Sequence, residues 1–113
     1  MFLIIVNLFE DTHLTEVVLA MTHLFEHKLV IQDASTNEEH LSASLSIFAD
    51  FGSSLSGRQK FCKTISTVTK HEKPIQKFLA ALKEADIDFE TEKLGNVCVV
   101  PVSDYLIAER DND

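Results

Sequence analysis

The chain has 113 residues, 45% of them of hydrophobic type, which is enough for one domain with its own core and too short for two. Eighteen acidic residues against ten Lys plus Arg leave a formal charge of −8, with only two arginines. That balance excludes a general nucleic-acid binder, which needs a basic face to displace counterions from phosphates, and the absence of Trp with a single Tyr leaves it poorly supplied for base stacking.

Met1 runs directly into the apolar stretch Phe2 to Val6, and the first charges after it are Glu10 and Asp11. A secretory signal has a basic leader and a small-residue cleavage point, and a bilayer span needs about 20 apolar residues. Neither pattern is present, so the expectation is a cytoplasmic protein without membrane insertion. In that setting Cys62 and Cys98 are expected as free thiols.

Phe2 to Leu8 is β-branched and apolar without alternation, the pattern of a central strand covered on both faces. Asp11 or Thr12 offers a helix cap. Leu14, Val17, Val18, Met21, Leu24 and Phe25 then recur at helical spacing, with His27 and Lys28 in the expected last turn. Leu29 to Asp33 reads as a short strand. Residues 35–60 form a long polar connection with an apolar cluster at Leu45, Ile47, Phe48 and Phe51, and connections this long are often functional. Phe61 to Thr69 reads as a strand. Pro74 suits a first helical turn, and Ile75, Phe78, Leu79 and Leu82 carry the helical face to about Ala85. Val97 to Val102 is the last strand, with Pro101 marking an edge, and residues 108–113 are expected to fray.

The order β-α-β-β-α-β predicts an α+β, ferredoxin-like domain over residues 1–113. Its sheet has four antiparallel strands in the order 4-1-3-2, with two helices on one face. Cys62 and Cys98 are then kept apart. Two helices cover one face only, while the strands are apolar at successive positions. The second face therefore calls for a homo-oligomer that packs sheets together, unless the long connection covers it.

Leu45 to Ile65, LSIFADFGSSLSGRQKFCKTI, resembles the Phe-Ala, Gly-rich, Asn-Lys-Thr-Ile segment of PII-like signalling proteins. Gly95 to Val102, GNVCVVPV, is similar to the Gly-Lys-Ile-Phe-Val-x-Pro-Val closing strand of the nitrogen regulatory PII proteins. With the element order, the resemblance spans nearly the whole chain. It implies a cytoplasmic homotrimer with inward-facing sheets that binds an adenine nucleotide or related effector between subunits. A loop after the second strand then contacts a transporter or enzyme as partner protein.

The residues depart from that pattern where phosphates would be held. Asp86, Asp88, Glu90 and Glu92 precede the last strand, in place of a glycine-rich loop. Asn96 replaces the lysine of the closing motif, and Ile107 and Glu109 stand near the expected arginines. The basic cluster Arg58, Lys60 and Lys63, together with Gly95, is the candidate anion site, Arg58 acting as a forked donor.

His23 and His27, one helical turn apart in the expected helix, are the alternative. They would make a divalent-metal pair completed by His40, His71 or another subunit, in the manner of the trimeric copper-tolerance family CutA. A plain interaction module without a small ligand is the third reading. With no P-loop, GxGxxG, CxxC or nucleophile elbow, the chain is expected to be a non-enzyme.

Overall fold

A computed structural model describes residues 1–37 and 61–106, and within it four antiparallel strands and three helices form an α+β unit. The strands are β1 (Phe2–Leu8), β2 (Val30–Asp33), β3 (Lys63–Thr69) and β4 (Gly95–Pro101). The helices are α1 (Leu14–Leu24), α2 (Lys73–Glu84) and the short α3 (Phe89–Glu92). The sheet order is β2-β3-β1-β4, the expected order counted from the other edge. The expected apolar cluster from Leu45 to Phe51, the basic residues Arg58 and Lys60, His40 and the tail 108–113 lie outside the described residues.

β1 occupies the centre because it is the longest uninterrupted apolar run, flanked by β3 on one side and β4 on the other. Alternation still sorts its side chains. Ile4, Val6 and Leu8 are fully buried against the helices, packing with Val17 and Met21 of α1 and Phe78 and Leu82 of α2. Phe25 meets Phe78 edge-on, ring centroids 5.7 Å apart. Burial of one such side chain contributes about 1.5–3 kcal/mol, so these few residues carry the helix layer. Leu3, Ile5 and Asn7 point to the opposite face.

That helix-free face is ordered in rows across the strands. Val68, Leu3 and Val100 share one row, and Val30, Ser66, Ile5 and Cys98 the next. The third row is Gln32, Thr64, Asn7 and Asn96. Cys62 and Cys98 are not joined in a disulfide, and β1 separates the strands they adjoin, as expected.

Strand ends differ from expectation by one or two residues, with β2 starting at Val30, β3 at Lys63 and β4 spanning Gly95–Pro101, and both ends of α1 differ for local reasons. α1 stops at Leu24, not at His27 and Lys28, because Phe25 turns to extended backbone while its N–H still bonds the Met21 carbonyl. That turn carries the Phe25 ring into the core. The N-cap is His13, without a side-chain capping bond, and Asp11 contributes only its carbonyl, to Leu14 N–H. α3 was not foreseen. Its signal is local: Asp88 caps it by accepting from the Glu90 and Thr91 amides at 3.1 Å each and from Thr91 Oγ1 at 2.8 Å.

Candidate functional site

Of the residues singled out by sequence as an anion site, Lys63 and Gly95 lie at one end of the sheet. Register places Asp33, Lys63, Leu8 and Gly95 in a single row, so the end of β2, the start of β3, the end of β1 and the start of β4 lie side by side. The long connection leaves from Asp33 and returns at Lys63. Its two roots are joined by a hydrogen bond from Ala34 N–H to the Cys62 carbonyl, 3.0 Å. Whatever that connection does, it starts and ends here.

Lys63 does not stand free at this end. Its ammonium forms an ion pair with Asp33, its cross-strand neighbour, and lies 6.0 Å from the centroid of the Phe61 ring. Its charge therefore holds the root of the connection. Gly95 has a structural task. At φ +148°, a Cβ would come within 1.8 Å of the Asn7 carbonyl oxygen, so only glycine lets β4 close on β1. Lys63 and Gly95 are brought to one row with Leu8 between them.

Beside this row lies a cavity of about 860 Å³, bounded by the second half of α2, the turn into α3, α3 itself and the first residues of β4. Its apolar wall includes Leu79, Leu82, Ile87, Phe89 and Val97, and its polar rim Lys83, Asp86, Asp88, Glu90 and Asn96. The volume falls in the range of small-molecule sites. Backbone hydrogen bonds hold the rim. Ile87 N–H donates to Leu82 at 2.9 Å, Leu94 N–H to Phe89 at 3.2 Å and Phe9 N–H to Leu94 at 2.7 Å. Asp86 and Lys93 make the turns with φ of 61° and 53°. Asp88 is held below the usual carboxylate range, chiefly by the Thr91 amide and hydroxyl, so it stays ionised as a cap. With Asp86, Asp88 and Glu90 against Lys83, the rim disfavours a polyphosphate and accommodates a neutral or cationic group.

Two side-chain networks tie this end together, and sequence inspection missed both. On the open face, Thr64 Oγ1 donates to Asn7 Oδ1 at 2.7 Å, and Asn7 Nδ2 donates to Asn96 Oδ1 at 2.8 Å. Their signal was a polar residue at the same depth in each of three strands, invisible until register is known. On the helix side, His13 Nδ1 sits 2.7 Å from Glu16 Oε1, and its Nε2 lies 3.6 Å from Glu92 Oε1, clasping α1 to α3. The Glu16 hydrogen bond leads the causes that raise the His13 imidazole above its ordinary pKa.

The expected histidine pair is not assembled. Because α1 ends at Leu24, His27 lies beyond the helix, 3.5 Å from Glu26 and beside Tyr105 at 6.5 Å between ring centroids. His23 instead lies near His71, at the opposite end of the helix layer. Among the described residues, no three His, Cys, Asp or Glu side chains are grouped to hold a metal ion, and no helix is long and apolar enough to cross a membrane. Compared with known proteins, the sequence matches no protein-family model and no curated protein.

Proposed function

We propose that the protein is a non-enzymatic, PII-like regulatory protein of the cytoplasm, a homotrimer of ferredoxin-like domains. A small effector bound at the loop-root end controls how the connection 35–60 meets a partner protein. The observation that carries this reading is a coincidence of place. The two roots of the connection, the closing row Lys63–Leu8–Gly95 and a cavity of ligand size share one end of the sheet. A ligand that orders the rim there acts directly on the base of the connection.

The open face supports the trimer. Leu3, Ile5, Val30 and Val100 offer apolar area, and in the polar row beside them Asn7 is hydrogen-bonded to Thr64 and Asn96. The Thr64 hydroxyl and the Asn7 amide are thereby paired within the face, which lowers the cost of burying it. The acidic rim argues that the effector is not gripped by its phosphates. Any adenine nucleotide here is recognised through its base and sugar, against Phe89 and the Asn96 amide.

Thermal unfolding against adenine nucleotides, cyclic dinucleotides and divalent metals tests the ligand, since binding raises stability by mass action. Stabilisation by a nucleotide, abolished in Phe89→Ala, supports the reading. Stabilisation by metal alone, lost in His23→Ala, replaces it with a metal-binding trimer. No response to any of them leaves an interaction module. Light scattering tests the assembly separately. A mass near 12.7 kDa overturns the trimer, whereas Val100→Glu reduces a true trimer to that mass without unfolding it.

A further inference from the structure

At the far end of the helix layer, away from the acidic rim, the end of α1 and the start of α2 border a second, open cavity of about 510 Å³. His23, Leu24, His71, Lys73, Pro74 and Lys77 line it. Four of the six are basic and none is a carboxylate, in a chain whose formal charge is −8. Glu72, the N-cap residue of α2, is exposed, makes no capping bond with its side chain and is not part of the wall.

The placement breaks helix rules that the rest of the chain obeys. Positive charge in a first turn opposes the helix dipole, and Lys73 stands in the first turn of α2, which carries no acidic residue. Like charges four apart on one helix face repel, and Lys77 stands four residues after Lys73. Neither lysine makes an ion pair among the described residues, unlike Lys63 with Asp33. An arrangement that costs stability locally is expected where it serves binding. His71 is not a loose neighbour. Its carbonyl accepts from Thr69 Oγ1 at 3.5 Å, and Thr69 is fully buried at the end of β3.

We propose that this cavity is an oxyanion site for the phosphoryl group of a small phosphorylated molecule. The Lys73 and Lys77 ammonium groups neutralise the phosphoryl charge, the His23 and His71 imidazoles donate N–H groups to its oxygens, and Leu24 and Pro74 form an apolar wall against the organic body. A bound dianion removes the lysine repulsion and matches the dipole of α2 at once. The site is independent of the effector cavity at the other end, so its failure leaves the regulatory reading standing.

The test is a titration of the isotopically labelled full chain with inorganic phosphate, at ionic strength held constant with chloride, followed by NMR. Saturable shifts of the His23 and His71 ring signals and of the amides at the start of α2 are expected. Lys73→Gln and Lys77→Gln each weaken binding about tenfold, the loss of one charge-assisted hydrogen bond. Lys93→Gln, at the opposite end, leaves it unchanged. Non-saturating shifts, shifts confined to other residues, or equal affinity in the Lys73→Gln/Lys77→Gln double variant overturn the proposal. Both lysines are exposed and their removal relieves repulsion, so these variants fold.

Discussion

The two ends of the helix layer handle charge in opposite ways. At the loop-root end several charged groups have internal partners: Lys63 pairs with Asp33, His13 bridges Glu16 and Glu92, and Asp88 caps α3. At the far end Lys73 and Lys77 have no ion-pair partner among the described residues, and the nearby helix start lacks a side-chain cap. Charge at the first end holds the backbone that frames the connection. Charge at the second end lines an open cavity, where the proposed oxyanion would meet it. One sheet thus separates a region organised for shape from a region organised for attraction, and each responds to different perturbations.

The largest expected effect removes the support common to both ends. Phe78→Ala empties the centre of the layer between α1 and α2 and lowers stability by about 3–5 kcal/mol in urea unfolding. Gly95→Ala breaks the root end alone. Its Cβ collides with the Asn7 carbonyl and the backbone is strained at positive φ, for a loss of about 3 kcal/mol. Hydrogen exchange in that variant accelerates first in β4. Asn7→Leu strips the partner from Thr64 and Asn96 and costs about 1–2 kcal/mol by the same unfolding measurement. If the open face is buried between subunits, it also loosens the assembly. Gly95→Ala and Asn7→Leu leave phosphate affinity at the far end unchanged as long as the chain is folded. A coupled loss would collapse the distinction between the two ends.

The smallest effects are pH-dependent, and the two root-end groups act in opposite senses. The His13 imidazole titrates above its ordinary value in the folded chain. Its contribution is therefore complete below the unfolded value, about 6.5, and disappears as pH rises through the raised one. His13→Gln should lower the melting temperature at a pH of about 6 and matter less at about 8. Asp88 titrates below the usual carboxylate range, so its contribution is complete above that range and disappears as pH falls through the depressed value. Asp88→Ala should destabilise α3 near neutrality, with the difference from the parent chain closing in acid. Melting curves across pH decide both, and a difference independent of pH removes the clasp or the cap from the account.

Legibility followed the range of the interaction. Element order, strand order and the helix faces of α1 and α2 were readable, since spacing of apolar residues records which side is buried. The end of α1 was misjudged at Phe25. Its apolar side chain continues the helical pattern, but the ring reaches the core from extended backbone, a choice made by Phe78. α3 was missed because four residues carry no periodicity, although Asp88 ahead of Glu90 and Thr91 was a capping signal. Of the candidate anion site, Lys63 and Gly95 fall in one row beside the connection, where each has a task that neighbouring strands assign: an ion pair with Asp33 for the one, a close approach to Asn7 for the other. His23 was paired with His27, with His71 named only among the residues that could complete the pair. Helical spacing favoured His27, whereas the antiparallel run of the two helices brings His71.

By itself the sequence determined a single acidic α+β domain, a central apolar strand, two amphipathic helices and a long polar connection after the second strand. Those features depend on composition and on periods of two and 3.6 residues, which are local quantities. The tertiary structure decided which charges meet. It paired Lys63 with Asp33, set Asn7 between Thr64 and Asn96, and placed a cavity with an acidic rim at one end of the helix layer and a basic cavity at the other. Those outcomes depend on register and on the crossing of chain segments far apart in sequence. The formal charge of −8 is a sum, and a sum carries no information about place.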